Sequence, residues 1–154
     1  MSALIRTAEL NAAYAGMIDN DRLEAWPDFF VNDCLYKITS AENRRCGYEA
    51  GIVYADSRAM LRDRITAMRS ANIYERQSYR HIIGLPVIGA AGPEGITAEV
   101  PFLVARIMRD GSTDLFATGV YVDKMRDEEG GLRFVERVVV CDSAHFDTLL
   151  AIPL

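Results

Sequence analysis

The order of its periodicities constrains this chain most: helical spacing dominates the first half, and β-branched and aromatic runs dominate the second. In residues 2–19, free of Pro, Leu10, Ala13, Tyr14 and Met17 recur at spacings of three and four, which predicts a helix with one apolar face. Asp19, Asn20 and Asp21 offer capping groups for a second, shorter helix that carries Leu23, Trp26 and Phe30 on one side, with Pro27 near its end. Residues 34–39 alternate like a half-buried strand. The clearest helix spans residues 56–71: Asp56 or Ser57 is the N-cap, and Leu61, Ile65 and Met68 form one stripe. Residues 79–85, 96–108, 115–124 and 132–141 then read as strands. Turn signals separate them at residues 86–95, 110–111 and 127–131, so the last three strands should form an antiparallel meander. Helices first and strands last predict a single α+β domain over residues 1–154, with helices covering one face of a twisted sheet.

Charge and composition narrow the function classes. The net charge is −5 and the basic residues are scattered, which predicts no nucleic-acid partner. No apolar run approaches the ~20 residues of a membrane span, and the first residues lack a basic segment followed by a hydrophobic one. The expected location is therefore the cytoplasm, away from a membrane. Cys34, Cys46 and Cys141 are an odd set without a CxxC pair, which argues against a disulfide framework or a zinc ribbon.

Histidine supply gives the sharpest chemical exclusion. A Rieske cluster takes two Cys and two His, and a facial-triad iron takes two further His and a carboxylate. The chain has only His81 and His145, and no Cys is followed by His two positions later. Those two histidines with a carboxylate such as Asp142 would satisfy the minimum set for one metal, but they fall on different predicted elements. Nucleotide-binding and hydrolase motifs of the GxGxxG, GxxxxGK[ST] and GxSxG types are missing. His81 could face a pocket as an acid or base, or be a hydrogen-bonded structural histidine. Asp142 has the same two readings, and Trp26, Phe29 and Phe30 could line a cavity or fill a core. Residues 73–80 pack Tyr74, Arg76, Tyr79 and Arg80 into a short link, and Tyr and Arg are enriched at protein interfaces.

That link also carries a family resemblance. Tyr74-Glu75-Arg76 followed by Tyr79-Arg80-His81-Ile82-Ile83-Gly84-Leu85-Pro86 resembles the small (β) subunits of Rieske-type aromatic-ring-hydroxylating dioxygenases. So do Trp26-Pro27-Asp28-Phe29-Phe30, Gly51-Ile52-Val53-Tyr54-Ala55-Asp56-Ser57, Met60-Leu61-Arg62-Asp63-Arg64-Ile65, and Cys141-Asp142-Ser143 with Asp147-Thr148-Leu149. Within that family the sequence is most similar to terephthalate dioxygenase small subunits, with those for salicylate and for anthranilate or halobenzoate as neighbours. The resemblance implies a nuclear-transport-factor-2-like, or scytalone-dehydratase-like, cone: a curved, mixed and largely antiparallel sheet around N-terminal helices. It also implies a hetero-hexamer of three catalytic α subunits with three small subunits, the latter forming a trimer within the complex. The Rieske [2Fe–2S] cluster and mononuclear Fe(II) would belong to the α subunit, which a reductase supplies with electrons from NADH, and this chain would hold no cofactor or metal. No catalytic residue transfers to it. Tyr74, Arg76, Tyr79 and Arg80 are carried over as partner-interface candidates. The competing reading is a free-standing cone-fold dehydratase or isomerase, with Tyr36, His81 and Asp142 as pocket candidates. An enzyme of that kind requires an open polar cavity around a titratable pair, whereas a structural subunit requires a filled cone and a broad contact surface.

Overall fold

A computed structural model describes residues 1–47, 51, 53–71, 77–143 and 152–154. Helix α1 (Ala3–Asp19) begins where the Ser2 hydroxyl accepts the Ile5 N–H. The second, shorter helix is a 3₁₀ helix (Leu23–Phe29). The Asp19-Asn20-Asp21 cluster does not cap it: Asp21 adopts a positive φ of 55°, and Arg22 takes the N-cap position without a side-chain bond. Strand β1 (Phe30–Ser40) extends the expected strand in both directions, and the short helix α2 (Ala41–Arg45) starts at a Ser40 cap. After β2 (Val53–Ala55) comes α3 (Arg58–Ala71), where Ser57 accepts the Met60 N–H and Leu61, Ile65 and Met68 are the buried stripe, as the spacing predicts. Arg69 ties α3 to the turn after α1 through Asp21 and to the 3₁₀ helix through Glu24.

The remaining strands are β3 (Gln77–Ile83), β4 (Val87–Gly92), β5 (Gly95–Met108), β6 (Thr113–Glu128) and β7 (Gly131–Cys141). Together with β1 and β2 they form, among the described residues, a seven-stranded sheet in the order β2-β1-β7-β6-β5-β3, with β4 also pairing β5. The β1–β7 pairing is parallel and the others are antiparallel, and β5, β6 and β7 make the expected meander. Residues 87–92, expected to be turn, are a strand instead. Their Gly and Ala have little intrinsic β preference, and pairing with β5 supplies what local preference does not.

Two details show how the backbone accommodates this sheet. Pro101, which has no N–H to donate, falls between the part of β5 paired with β4 and the part paired with β3. Its carbonyl still accepts the Gly84 N–H at 2.8 Å. At Gly119 a Cβ would lie 2.1 Å from the Val140 carbonyl oxygen, so only glycine lets β6 and β7 approach there.

Alternation along β5 buries Ile96, Ala98, Val100, Phe102 and Val104 on the concave side. The helices cover that side, and one core joins α1, the 3₁₀ helix, α3 and the strands. The buried stripe of α1 differs from the apolar one read from spacing. Ala13 is exposed, while polar Thr7 and Asn11 are fully buried beside Tyr14, Ala15, Met17 and Ile18. Asn11 is inside because it meets a buried charge described below.

Candidate functional site

The concave interior is where a cone-shaped enzyme would hold its substrate, and here the chain's own side chains occupy it. Arg137 from β7 and Asp123 from β6 are both fully buried and joined by two hydrogen bonds, Nε to Oδ1 at 2.9 Å and Nη2 to Oδ2 at 2.7 Å. Nη2 also donates to the Asn11 side-chain oxygen of α1. The guanidinium lies 3.8 Å from the Tyr121 ring centre, 4.0 Å from that of Phe134 and 4.4 Å from that of Tyr14, a cage that offers cation–π attraction in place of water. Burial pushes the Asp123 carboxyl up, and Arg137 draws it part of the way back. Burial works against the Arg137 charge, and Asp123 more than restores it. This is a structural ion pair in which Arg137 Nε and Nη2 are bonded internally, while Nη1 is buried without a partner among the described residues.

Beside it, Trp26, Phe30 and Tyr36 meet edge to face, with Trp26 and Tyr36 centroids 5.0 Å apart. Trp26 and Phe30 are therefore core and Phe29 packs against them. Tyr36, a pocket candidate, is fully buried, and its hydroxyl bonds the main chain of Leu154 rather than facing a cavity. Burial pushes the phenols of Tyr36 and Tyr121 well up from their ordinary value.

His81 is also inside, held by Asp19, the last residue of α1. One carboxylate oxygen accepts the His81 main-chain N–H at 2.8 Å, and the other lies 2.7 Å from Nδ1. That geometry makes Nδ1 the hydrogen-bearing nitrogen and leaves Nε2 buried, without a partner among the described residues. Sequence reasoning singled out His81 but not Asp19, which lies 62 positions earlier and comes into reach only because α1 packs on β3. The three pocket candidates do not converge. Strands β5, β6 and β7 lie between those of His81 and Tyr36. Asp142 accepts from the Thr118 hydroxyl at 2.8 Å, and Thr118 sits out of phase with the inward-facing Ala117, Gly119 and Tyr121 of β6. It thus belongs to the outer face, opposite His81.

The proposed metal set can be followed only in part, because His145 lies outside the described residues. Among those described, no group of three or more His, Cys, Asp or Glu side chains is placed to hold a metal ion. Tyr74 and Arg76 also lie outside them. Tyr79 is 3% exposed and stacks on Phe116 with centroids 5.3 Å apart, so it faces its own core. Arg80 points outward, 3.9 Å from Asp19. The outer surface beside it carries Ile82, Leu85, Val87, Leu103 and Leu115, exposed apolar side chains of β3, the link to β4, β4 itself, β5 and β6. A groove of about 610 Å³ lies elsewhere on the surface and mixes Asp28, Asp33, Glu128 and Glu129 with Arg58, Arg126 and Arg133.

Buried Cys34 and Cys141 allow a prediction here. Burial pushes these thiols up to about 11 and about 12. Each is raised in the folded chain, so its contribution is fully present below the unfolded value of about 8.5 and is lost as pH rises toward the folded one. Stability should be level to about pH 8.5, then fall by about 1.4 kcal/mol per pH unit for each thiol. Urea midpoints from pH 7 to 10 test this, and Cys141→Ala should roughly halve the alkaline slope.

The ring-hydroxylating β-subunit family model matches residues 13–148. The chain belongs to that family. Its sequence is 52% identical over 150 residues to the β1 subunit of the terminal oxygenase component of terephthalate 1,2-dioxygenase from Comamonas sp., covering 97% of each chain. It is 38% identical to the anthranilate 1,2-dioxygenase small subunit of Burkholderia cepacia, covering 94% of this chain and 90% of that one. A solved structure assigned as the β subunit of an aromatic-ring-hydroxylating dioxygenase from Novosphingobium aromaticivorans superposes with a TM-score of 0.90 at 38% identity, over 99% of this chain and 97% of the other. The fold is the nuclear-transport-factor-2-like cone that the resemblance implies. Among the described residues no helix is long and apolar enough to cross a membrane.

Proposed function

We propose that this chain is the non-catalytic small subunit of a terephthalate dioxygenase, holding a catalytic α subunit in a three-plus-three hexamer in the cytoplasm. The α subunit carries the Rieske cluster and the mononuclear iron and cis-dihydroxylates the aromatic acid. The observation that carries the structural role is the cone interior, occupied by Arg137, Asp123 and the aromatic side chains where an independent enzyme needs open volume. Similarity to terephthalate dioxygenase subunits along nearly the whole chain supports the substrate assignment. Arg80 and the neighbouring Ile82 and Leu103 are the side chains offered to a partner, since contiguous exposed apolar surface marks contact sites. Tyr79 leaves the interface set because it is already buried in its own chain.

Co-expression with a terephthalate dioxygenase α subunit tests the reading. Size-exclusion chromatography should give one complex whose iron and acid-labile sulfide track the α subunit, and the small subunit alone should be metal-free. Separate elution from such α subunits, or stoichiometric metal on this chain alone, would overturn it.

A further inference from the structure

Leu154 is held in the cone by side chains rather than by a strand ladder. Tyr14 and Tyr36 donate to its main-chain oxygen at 2.8 and 3.0 Å, and its N–H donates to the Tyr36 hydroxyl at 3.2 Å. Trp26 Nε1 donates to the Tyr14 hydroxyl at 3.0 Å, which polarises that phenol further toward donation. These partners come from α1, the 3₁₀ helix and β1, and all are fully buried. Leu154 is fully buried as well, with Ile152 nearly so.

The receptor is thus assembled by the N-terminal elements, and residues 152–154 occupy it as a peptide ligand would. Two phenolic O–H groups converging on one oxygen form a donor set suited to an oxygen bearing negative charge. Trp26 and Phe30 pack edge to face with Tyr36, so the core beside that phenol is aromatic, an environment suited to a flat apolar body. Asp123 offsets much of the nearby Arg137 charge, so the phenols provide the selectivity.

We propose that the Tyr14–Tyr36 pair is a binding site for a small aromatic oxyanion, a carboxylate or phenolate, which the chain's own Leu154 keeps occupied. The site is a property of this chain and does not depend on the oxygenase reading. Ligand and tail compete, so affinity in the unaltered chain is reduced by the fraction of molecules with the tail in place.

Benzoate titration of the full chain tests this, with emission from Trp26, the sole tryptophan, as the readout. A saturable change is expected, and Leu154→Gly should tighten it by about tenfold or more by weakening the competitor. Adding Tyr36→Phe to that variant should remove the gain. A Leu154→Gly chain with native near-ultraviolet circular dichroism and no saturable response overturns the proposal. Equal binding by Leu61→Ala, whose cavity would lack converging phenols, also overturns it. Should Leu154→Gly fail to fold, hydrogen exchange on the unaltered chain decides. The Leu154 amide should exchange at least about 100-fold faster than that of Val139 in β7. Exchange only at the rate of global unfolding would exclude displacement of the tail.

Discussion

Asp123→Ala is expected to lower the unfolding free energy by about 3–5 kcal/mol, the effect of stranding a buried charge. Arg137 has no exposed surface, so it cannot recover water when its carboxylate is removed. Nor can it move freely, because Asn11 and the rings of Tyr14, Tyr121 and Phe134 fix the guanidinium in place. Replacing both partners by apolar residues, Asp123→Leu with Arg137→Met, should recover most of the loss, because the desolvation cost of both ions disappears. Urea unfolding measures both variants through the midpoint at constant slope. A single variant within about 1 kcal/mol of the original would mean that the interior is wet enough to solvate Arg137. The same pair bridges β6, β7 and α1, so Asn11→Ala should cost less than Asp123→Ala, by leaving the ion pair itself intact.

That cluster also marks where sequence reasoning stopped. Strict alternation from Phe134 would turn Glu136 inward and Arg137 outward. A bulge intervenes: Met125 pairs Phe134 and Lys124 pairs Glu136, so Val135 is the extra residue and the phase of β7 flips. Glu136 then lies outside, 3.2 Å from Lys124, while Arg137 goes inside. Nothing local in the sequence announces the bulge, which also explains the missed α1 face. Asn11 and Thr7 look like solvent positions until a buried guanidinium is known to lie opposite. By contrast, α3 and strands β5 and β6 were legible because their burial follows undisturbed periods, 3.6 in the stripe of Leu61, Ile65 and Met68 and 2.0 along the strands. The tail was illegible for another reason: Leu154 is buried by contacts more than a hundred residues away in sequence.

His81→Ala separates the structural reading from the acid–base one, because the two require opposite outcomes. Asp19 ends α1, where the helix dipole disfavours a carboxylate, and its side chain is only 5% exposed. Removing the imidazole takes away the shorter of its two hydrogen bonds and leaves the main-chain N–H and the distant Arg80. Stability should fall by about 3 kcal/mol, measured by urea unfolding of the isolated chain. In the assembled oxygenase, turnover per intact complex should stay within about twofold, because the imidazole is buried and bonds Asp19 of its own chain. A general acid or base contributes about 10²–10⁴ in rate, so a loss of that size with assembly preserved would overturn the non-catalytic reading. The buried, unpartnered Nε2 would then have to face substrate in the complex. His81→Gln sharpens the comparison: its amide can restore a donor to Asp19 but cannot cycle a proton near neutral pH. Recovery of stability with unchanged turnover therefore assigns the histidine to holding α1 against β3.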